Sequence, residues 1–112
     1  MSSLLFSQST HANWSVLSVE GQIDSKSVGD FQVSLAQMTD TSQCIAVDLT
    51  KVSFMSSAGL RALLVVHKQT SSQAKPLVFI GINDDIKDVM RVTGFLQHFT
   101  LISTCEDLPT NV

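Results

Sequence analysis

Two adjacent hydroxyls, Ser56 and Ser57, are the side chains best placed to do chemistry in this 112-residue sequence. They are followed by the small pair Ala58-Gly59 and then by a run with helical spacing. The start of a helix leaves backbone N–H groups unpaired and presents the positive end of its dipole, so a phosphate added there is held favourably. Ser57 is therefore a candidate phosphoacceptor. Either serine would equally serve as a helix cap, a role worth about 1 kcal/mol. A second chemistry is nucleophilic catalysis, since Ser57 in a strand–turn–helix setting supplies half of a nucleophile elbow. The other half is missing: Met55 stands where G-x-S-x-G needs its first glycine, and no HGGG-type oxyanion segment exists. So short a chain also leaves little room for a substrate pocket with a positioned acid–base pair. The sequence thus predicts a protein that is not an enzyme, and the lack of GxxxxGK and GxGxxG argues against nucleotide binding.

The remaining reactive residues have simpler roles. Asp24 precedes a helix, where a carboxylate suits the dipole and can cap. Asp48 closes a buried-type strand and is expected to fix a loop. His11, His67 and His98 have no spaced companions, so no metal and no cofactor are expected. Cys44 and Cys105 stand far apart and outside any CxxC, as expected of small core residues in a reducing compartment.

The elements that must position these residues can be read from periodicity. Leu4–Ser7 and Trp14–Glu20 have strand character and flank the polar Ser9–Asn13, which predicts a hairpin. After Gly21 and the turn Gln22–Ser25, Val28, Phe31, Leu35 and Met38 recur at helical spacing, with Ser25 or Ser27 as the cap. Cys44–Leu49 is nearly continuous apolar, as in a central parallel strand covered on both faces. Beyond the polar Thr50-Lys51 step and the segment Val52–Gly59, Leu60, Leu63, Leu64 and His67 mark a second helix, closed by Ser71–Pro76. Leu77–Ile82 reads as another buried strand. Asn83 caps a third helix striped by Ile86, Val89 and Met90 and stopped by Gly94. Phe99–Ile102 is the last strand, with a short helix near Glu106–Leu108. The order ββαβαβαβ(α) predicts an α/β fold: a mixed, mostly parallel sheet of about five strands with helices packed on it, in one domain spanning residues 1–112.

Composition excludes several classes. Apolar residues make up 44% and charged residues 15%, enough for a core and too little charge for an extended disordered segment. The net charge of −3 without a basic cluster argues against nucleic-acid partners. The apolar runs fall far short of the roughly 20 residues that span a bilayer, so no membrane insertion is expected. Met1–Phe6 lacks the basic start of a secretory signal, and a cytoplasmic location is expected.

Three segments resemble the STAS domain family, and within it the bacterial anti-sigma-factor antagonists. Gly21-Gln22-Ile23-Asp24 is similar to the family's Gly-x-hydrophobic-Asp turn, Val47-Asp48-Leu49-Thr50 to the end of its central strand, and Phe54-Met55-Ser56-Ser57-Ala58-Gly59-Leu60 to its phosphorylation loop. The resemblance implies a STAS fold over most of the chain. It implies a partner switch in which the unphosphorylated form binds an anti-sigma factor, itself a serine kinase of the histidine-kinase-like ATPase fold. Phosphorylation of Ser57, two residues before the glycine, would release that partner, and a serine phosphatase of the PP2C type would reset the switch. The implied partner surface comprises Asp24, Ser56, Ser57, Ala58, Gly59 and Arg61. The chain departs from many members in having Ser56 where they carry Asp and Ala58 where they carry Ser or Thr, which makes Ser56 an alternative acceptor. The alternative function is a non-phosphorylated STAS interaction subunit of a membrane transport or larger signalling complex.

Overall fold

The computed structural model describes residues 4–109; Met1–Ser3, part of the N-terminal segment read above for a signal, lie outside them. The chain runs β1 (Leu5–His11), β2 (Trp14–Ile23), α1 (Val28–Thr41), β3 (Ile45–Met55), α2 (Ser57–Ser72), β4 (Leu77–Ile80), α3 (Asp84–Thr93) and β5 (Leu101–Ile102). Single turns of 3-10 helix follow α3 at Phe95–His98 and β5 at Cys105–Asp107. The five strands lie side by side in chain order, with β1 antiparallel to β2 and each later neighbour parallel. Each parallel pair is joined through one helix, and equal-handed crossovers between successive strands lay the helices on one face of the sheet.

The core follows from strand alternation. Leu17 and Val19 of β2, Ile45, Val47 and Leu49 of β3, and Phe79 of β4 point into one cluster with Phe31, Leu35, Leu60, Leu63, Ile86 and Met90 from the three helices. The alternate residues Trp14, Val16, Ala46, Val78 and Ile80 form a second cluster on the other face. The carboxyl-terminal turn covers it: Leu108 is buried there, and the Trp14 indole donates to the Pro109 carbonyl at 2.7 Å. Strands buried on both faces explain why the middle of the sheet reads as nearly continuous apolar sequence. Each fully buried Leu, Ile or Phe stabilises by about 1.5–3 kcal/mol, so this packing outweighs any single cap.

The boundaries differ from the sequence reading in five strands. β2 does not break at Gly21 but runs on to Ile23, because Gly21, Gln22 and Ile23 pair with Val52, Phe54 and Met55 of β3. β1 runs through the polar Ser9–His11 because its outer face is exposed, leaving a turn of only Ala12-Asn13, with Ala12 at φ +54°. β3 does not stop at Thr50-Lys51 but continues to Met55, because Glu20–Ile23 of β2 keeps pairing with Lys51–Met55 across two register shifts. β4 ends at Ile80, where Gly81 turns the chain at φ +70°. The last strand shrinks to Leu101–Ile102, since a 3-10 turn takes up Phe95–His98 just before it.

Gly81 is a close approach as well as a turn: a β-carbon there would strike the Thr50 side chain and come within 3.2 Å of the Thr50 Cα. Replacing Gly81 by Ala should therefore lower stability by about 1–3 kcal/mol, read as a shift of the urea midpoint. Part of that loss should return in the Gly81→Ala/Thr50→Ala pair, which removes the nearest clashing atom, Thr50 Oγ1; a fully additive double variant would show that the clash does not govern the site.

Candidate functional site

Parallel strands deliver their carboxyl ends to one edge, and there β2 and β3 finish in register, with Gln22 opposite Phe54 and Ile23 opposite Met55. The chain after each strand begins a helix. The backbone N–H of Ser56 donates to the Ile23 carbonyl at 2.8 Å, tying the start of α2 to the end of β2. The loops holding Asp24 and Ser57 are thereby fixed side by side. Gly59 permits this approach: a β-carbon on it would lie 2.6 Å from Met55 Cγ and 2.9 Å from Ile23 Cγ2. Gly59, expected on the same exposed surface as Ser57, is instead buried, where it lets the helix sit close against β2 and β3.

The two serines separate by role. Ser56 is the N-cap of α2, half-buried, its Oγ accepting from the Gly59 N–H at 3.4 Å. Ser57 is the first residue of the helix, exposed, with its hydroxyl in no such bond. Both caps left open by the sequence thus resolve: Ser56 caps α2, and Ser27 takes the cap position of α1 without bonding the helix's N–H groups. Instead the Ser27 hydroxyl donates to the Gln22 carbonyl at 2.8 Å and accepts from the Asp24 N–H at 3.0 Å. Asp24 organises the turn, its Oδ1 accepting from the N–H groups of Lys26 at 2.9 Å and Ser27 at 3.1 Å. Those two bonds, Lys26 first and then Ser27, hold the carboxyl below its ordinary 3.8 despite the opposing effect of partial desolvation.

Arg61 is exposed one turn beyond Ser57, and Ala58 is half-exposed beside it. Phe54, half-exposed at 50%, adds an aromatic side chain that the sequence reading left without a role. Strand alternation could have revealed it, because Met55 points inward and its neighbour must point out. Asp48 lies elsewhere, fixing the chain beyond it as expected: its Oδ1 accepts from Thr50 N at 2.9 Å and Thr50 Oγ1 at 2.5 Å. His67 and His98, far apart in sequence, come within 6.2 Å ring to ring, a pairing that spacing along one chain did not show. Among the described residues no three His, Cys, Asp or Glu side chains gather as a metal set. Burial, then the charges of Asp48 and Glu106, push the Cys105 thiol up from its ordinary value, so it is no activated nucleophile. No helix among the described residues is long and apolar enough to cross a membrane.

A five-stranded mixed sheet with its helices on one face and a serine loop opening the helix after the central strand defines a small α/β module. The profile of the STAS domain family matches residues 7–108, and the chain belongs to that family. BtrV of Bordetella bronchiseptica, named as an anti-sigma factor antagonist, is 28% identical over 89 residues, covering 79% of this chain and 77% of its own. The crystal structure of an anti-sigma factor antagonist from Mycobacterium paratuberculosis superposes with a TM-score of 0.83 at 24% identity, covering 94% of this chain and 90% of that one. The Bacillus cell fate determinant SpoIIAA in its phosphorylated form gives a TM-score of 0.69 at 15% identity, covering 91% and 95%. The family to which these antagonists belong is regulatory and not catalytic.

Two measurements follow from the geometry. Ser56→Ala removes the cap and should cost about 0.5–1 kcal/mol in denaturant unfolding, whereas Ser57→Ala should stay within about 0.5 kcal/mol of the parent; the reverse order would mean that the cap is misassigned. In a carboxyl-carbon NMR titration Asp24 should have its midpoint below 3.8. A depressed folded-state value means that the charge stabilises the fold above the unfolded value and that this contribution fades as pH falls through the folded one. The stability difference between the parent and Asp24→Asn should therefore shrink only in that acid range, and a midpoint above 3.8 would contradict the turn geometry.

Proposed function

We propose that this chain, as one STAS domain over residues 1–112, is an anti-sigma-factor antagonist of a cytoplasmic partner switch. Unphosphorylated, it binds an anti-sigma factor that is also a serine kinase of the histidine-kinase-like ATPase fold. That kinase moves the γ-phosphoryl group of ATP to Ser57 Oγ, a base of the kinase takes the hydroxyl proton, and ADP leaves. The modified form is released, and a PP2C-type serine phosphatase returns it to the binding state by hydrolysis.

The observation that carries this reading is the division of labour between the serines: Ser56 is engaged as a cap, while Ser57 is exposed with a free hydroxyl at the first position of the helix. Similarity to BtrV and to a fold neighbour described in a phosphorylated form supports it. The contact surface would be Asp24, Ser56, Ser57, Ala58 and Arg61, with Phe54 as its apolar anchor, since exposed aromatic and arginine side chains carry much of the energy at protein interfaces. Phosphate adds about 1.5–2 negative charges at the centre of that surface, enough to make docking against an apolar or acidic partner patch unfavourable.

The test is incubation with the kinase captured by the unmodified protein, with ATP, and mapping by mass spectrometry. Transfer to Ser57 is expected in the parent and in Ser56→Ala, none in Ser57→Ala, and loss of kinase binding in Ser57→Asp. No transfer to Ser57 together with intact binding by Ser57→Asp would refute the switch, and capture of transporter subunits without a kinase would favour the alternative interaction-subunit role.

A further inference from the structure

Ser57 and Arg61 stand four residues apart on α2, the spacing that brings two side chains together on one face of a helix. Both are exposed. Arg61 has no partner: the ion pairs among the described residues are Lys51 with Glu20 and Arg91 with Asp88, and no hydrogen bond engages its guanidinium. Its position is electrostatically unfavourable, a cation near the positive end of a helix whose first turn holds no acidic residue. The next residue along the same face is Val65, which offers no acceptor. A guanidinium seated this way is free to take an anion one turn toward the helix start, and the exposed hydroxyl at that spot is Ser57.

We propose that Arg61 is the internal partner of a phosphate on Ser57, so that modification closes an ion pair along α2 and withdraws the arginine from the docking surface. The inference rests on the phosphorylation reading above and adds how the modified state is read. The order is the favourable one, acid toward the helix start and base four residues on. The planar guanidinium matches two phosphate oxygens at once, which an ammonium does not. Asp24, whose carboxyl stays ionised at neutral pH, follows Ile23 at the junction with Ser56, and its repulsion turns the phosphate away from the β2 end and along the helix. Lys26, in the same turn as Asp24, is a second cation, and its charge already acts on the Asp24 carboxylate. One modification would then remove two contacts from a partner, the neutral hydroxyl and the free guanidinium, which sharpens the difference between the two states.

The test installs phosphoserine at position 57 of the full chain through an expanded genetic code, so that it does not depend on any kinase, and follows the phosphate by phosphorus NMR against pH. In the parent the second ionisation should lie below the ordinary value of about 6. Arg61→Ala should raise it by about half a unit, with Arg61→Lys between the two, and added salt should narrow the gap. Arg61 is exposed and unpaired, so both variants should keep the parent's circular dichroism. An Arg61→Ala curve that superimposes on the parent's overturns the pair. That result would leave kinase transfer to Ser57 standing, just as absent transfer would leave this titration standing.

Discussion

The organisation of the candidate site depends on one hydrogen bond, from the Ser56 backbone N–H to the Ile23 carbonyl at 2.8 Å. It exists only because β3 runs on to Met55 and stays paired with the end of β2, so that both strands deliver their following loops to the same point. It persists only because Gly59 leaves room for the helix to settle against Ile23 and Met55. Every other feature of the surface follows from that junction. Asp24 is carried next to the serines, Ser56 is turned inward to cap, and Ser57 is left outside at the first position of the helix. Bonds from Asp24 and Ser27 then tie down the facing turn, so that it is a hydrogen-bonded turn and not an open loop.

The architecture was legible in the residues because its signals are strong and local. Nearly continuous apolar runs such as Ile45–Leu49, broken only by Asp48, mark strands covered on two sides, and the stripes Phe31, Leu35, Met38 and Ile86, Met90 mark single faces of helices. Asn83 and Gly94 punctuated α3 correctly, the first accepting from Ile86 N and the second turning at φ +83°. Boundaries failed where tertiary pairing overrides local composition. Thr50 and Lys51 look like a loop yet are held in a strand by β2, and Ser9–His11 look like a turn yet pair with Trp14–Val16.

The site was legible in kind but not in detail. Adjacent hydroxyls before a helix announce a cap and an exposed neighbour, but which is which depends on the helix beginning at Ser57 and not one residue earlier. Two serines in succession carry no sign of that register. The burial of Gly59 and the proximity of His67 to His98 are products of packing between distant segments, for which one sequence holds no local signature, whereas the exposure of Phe54 follows from strand alternation once β3 is known to reach Met55. Asp24 is intermediate: its type and place suggested capping, whereas its bonds secure the turn before the helix.

The indole of Trp14, the chain's single tryptophan, is 1% exposed, and its N–H is held by the carbonyl of Pro109. It lies at the opposite end of β2 from Ile23, some nine residues or roughly 30 Å away along the strand. The molecule therefore carries a built-in optical gauge of its carboxyl-terminal strap: lifting that segment wets the ring and reddens its emission. Charge added at the far end of the sheet leaves the ring dry and its colour unchanged, so one fluorophore separates loosening of the scaffold from events at the serine loop.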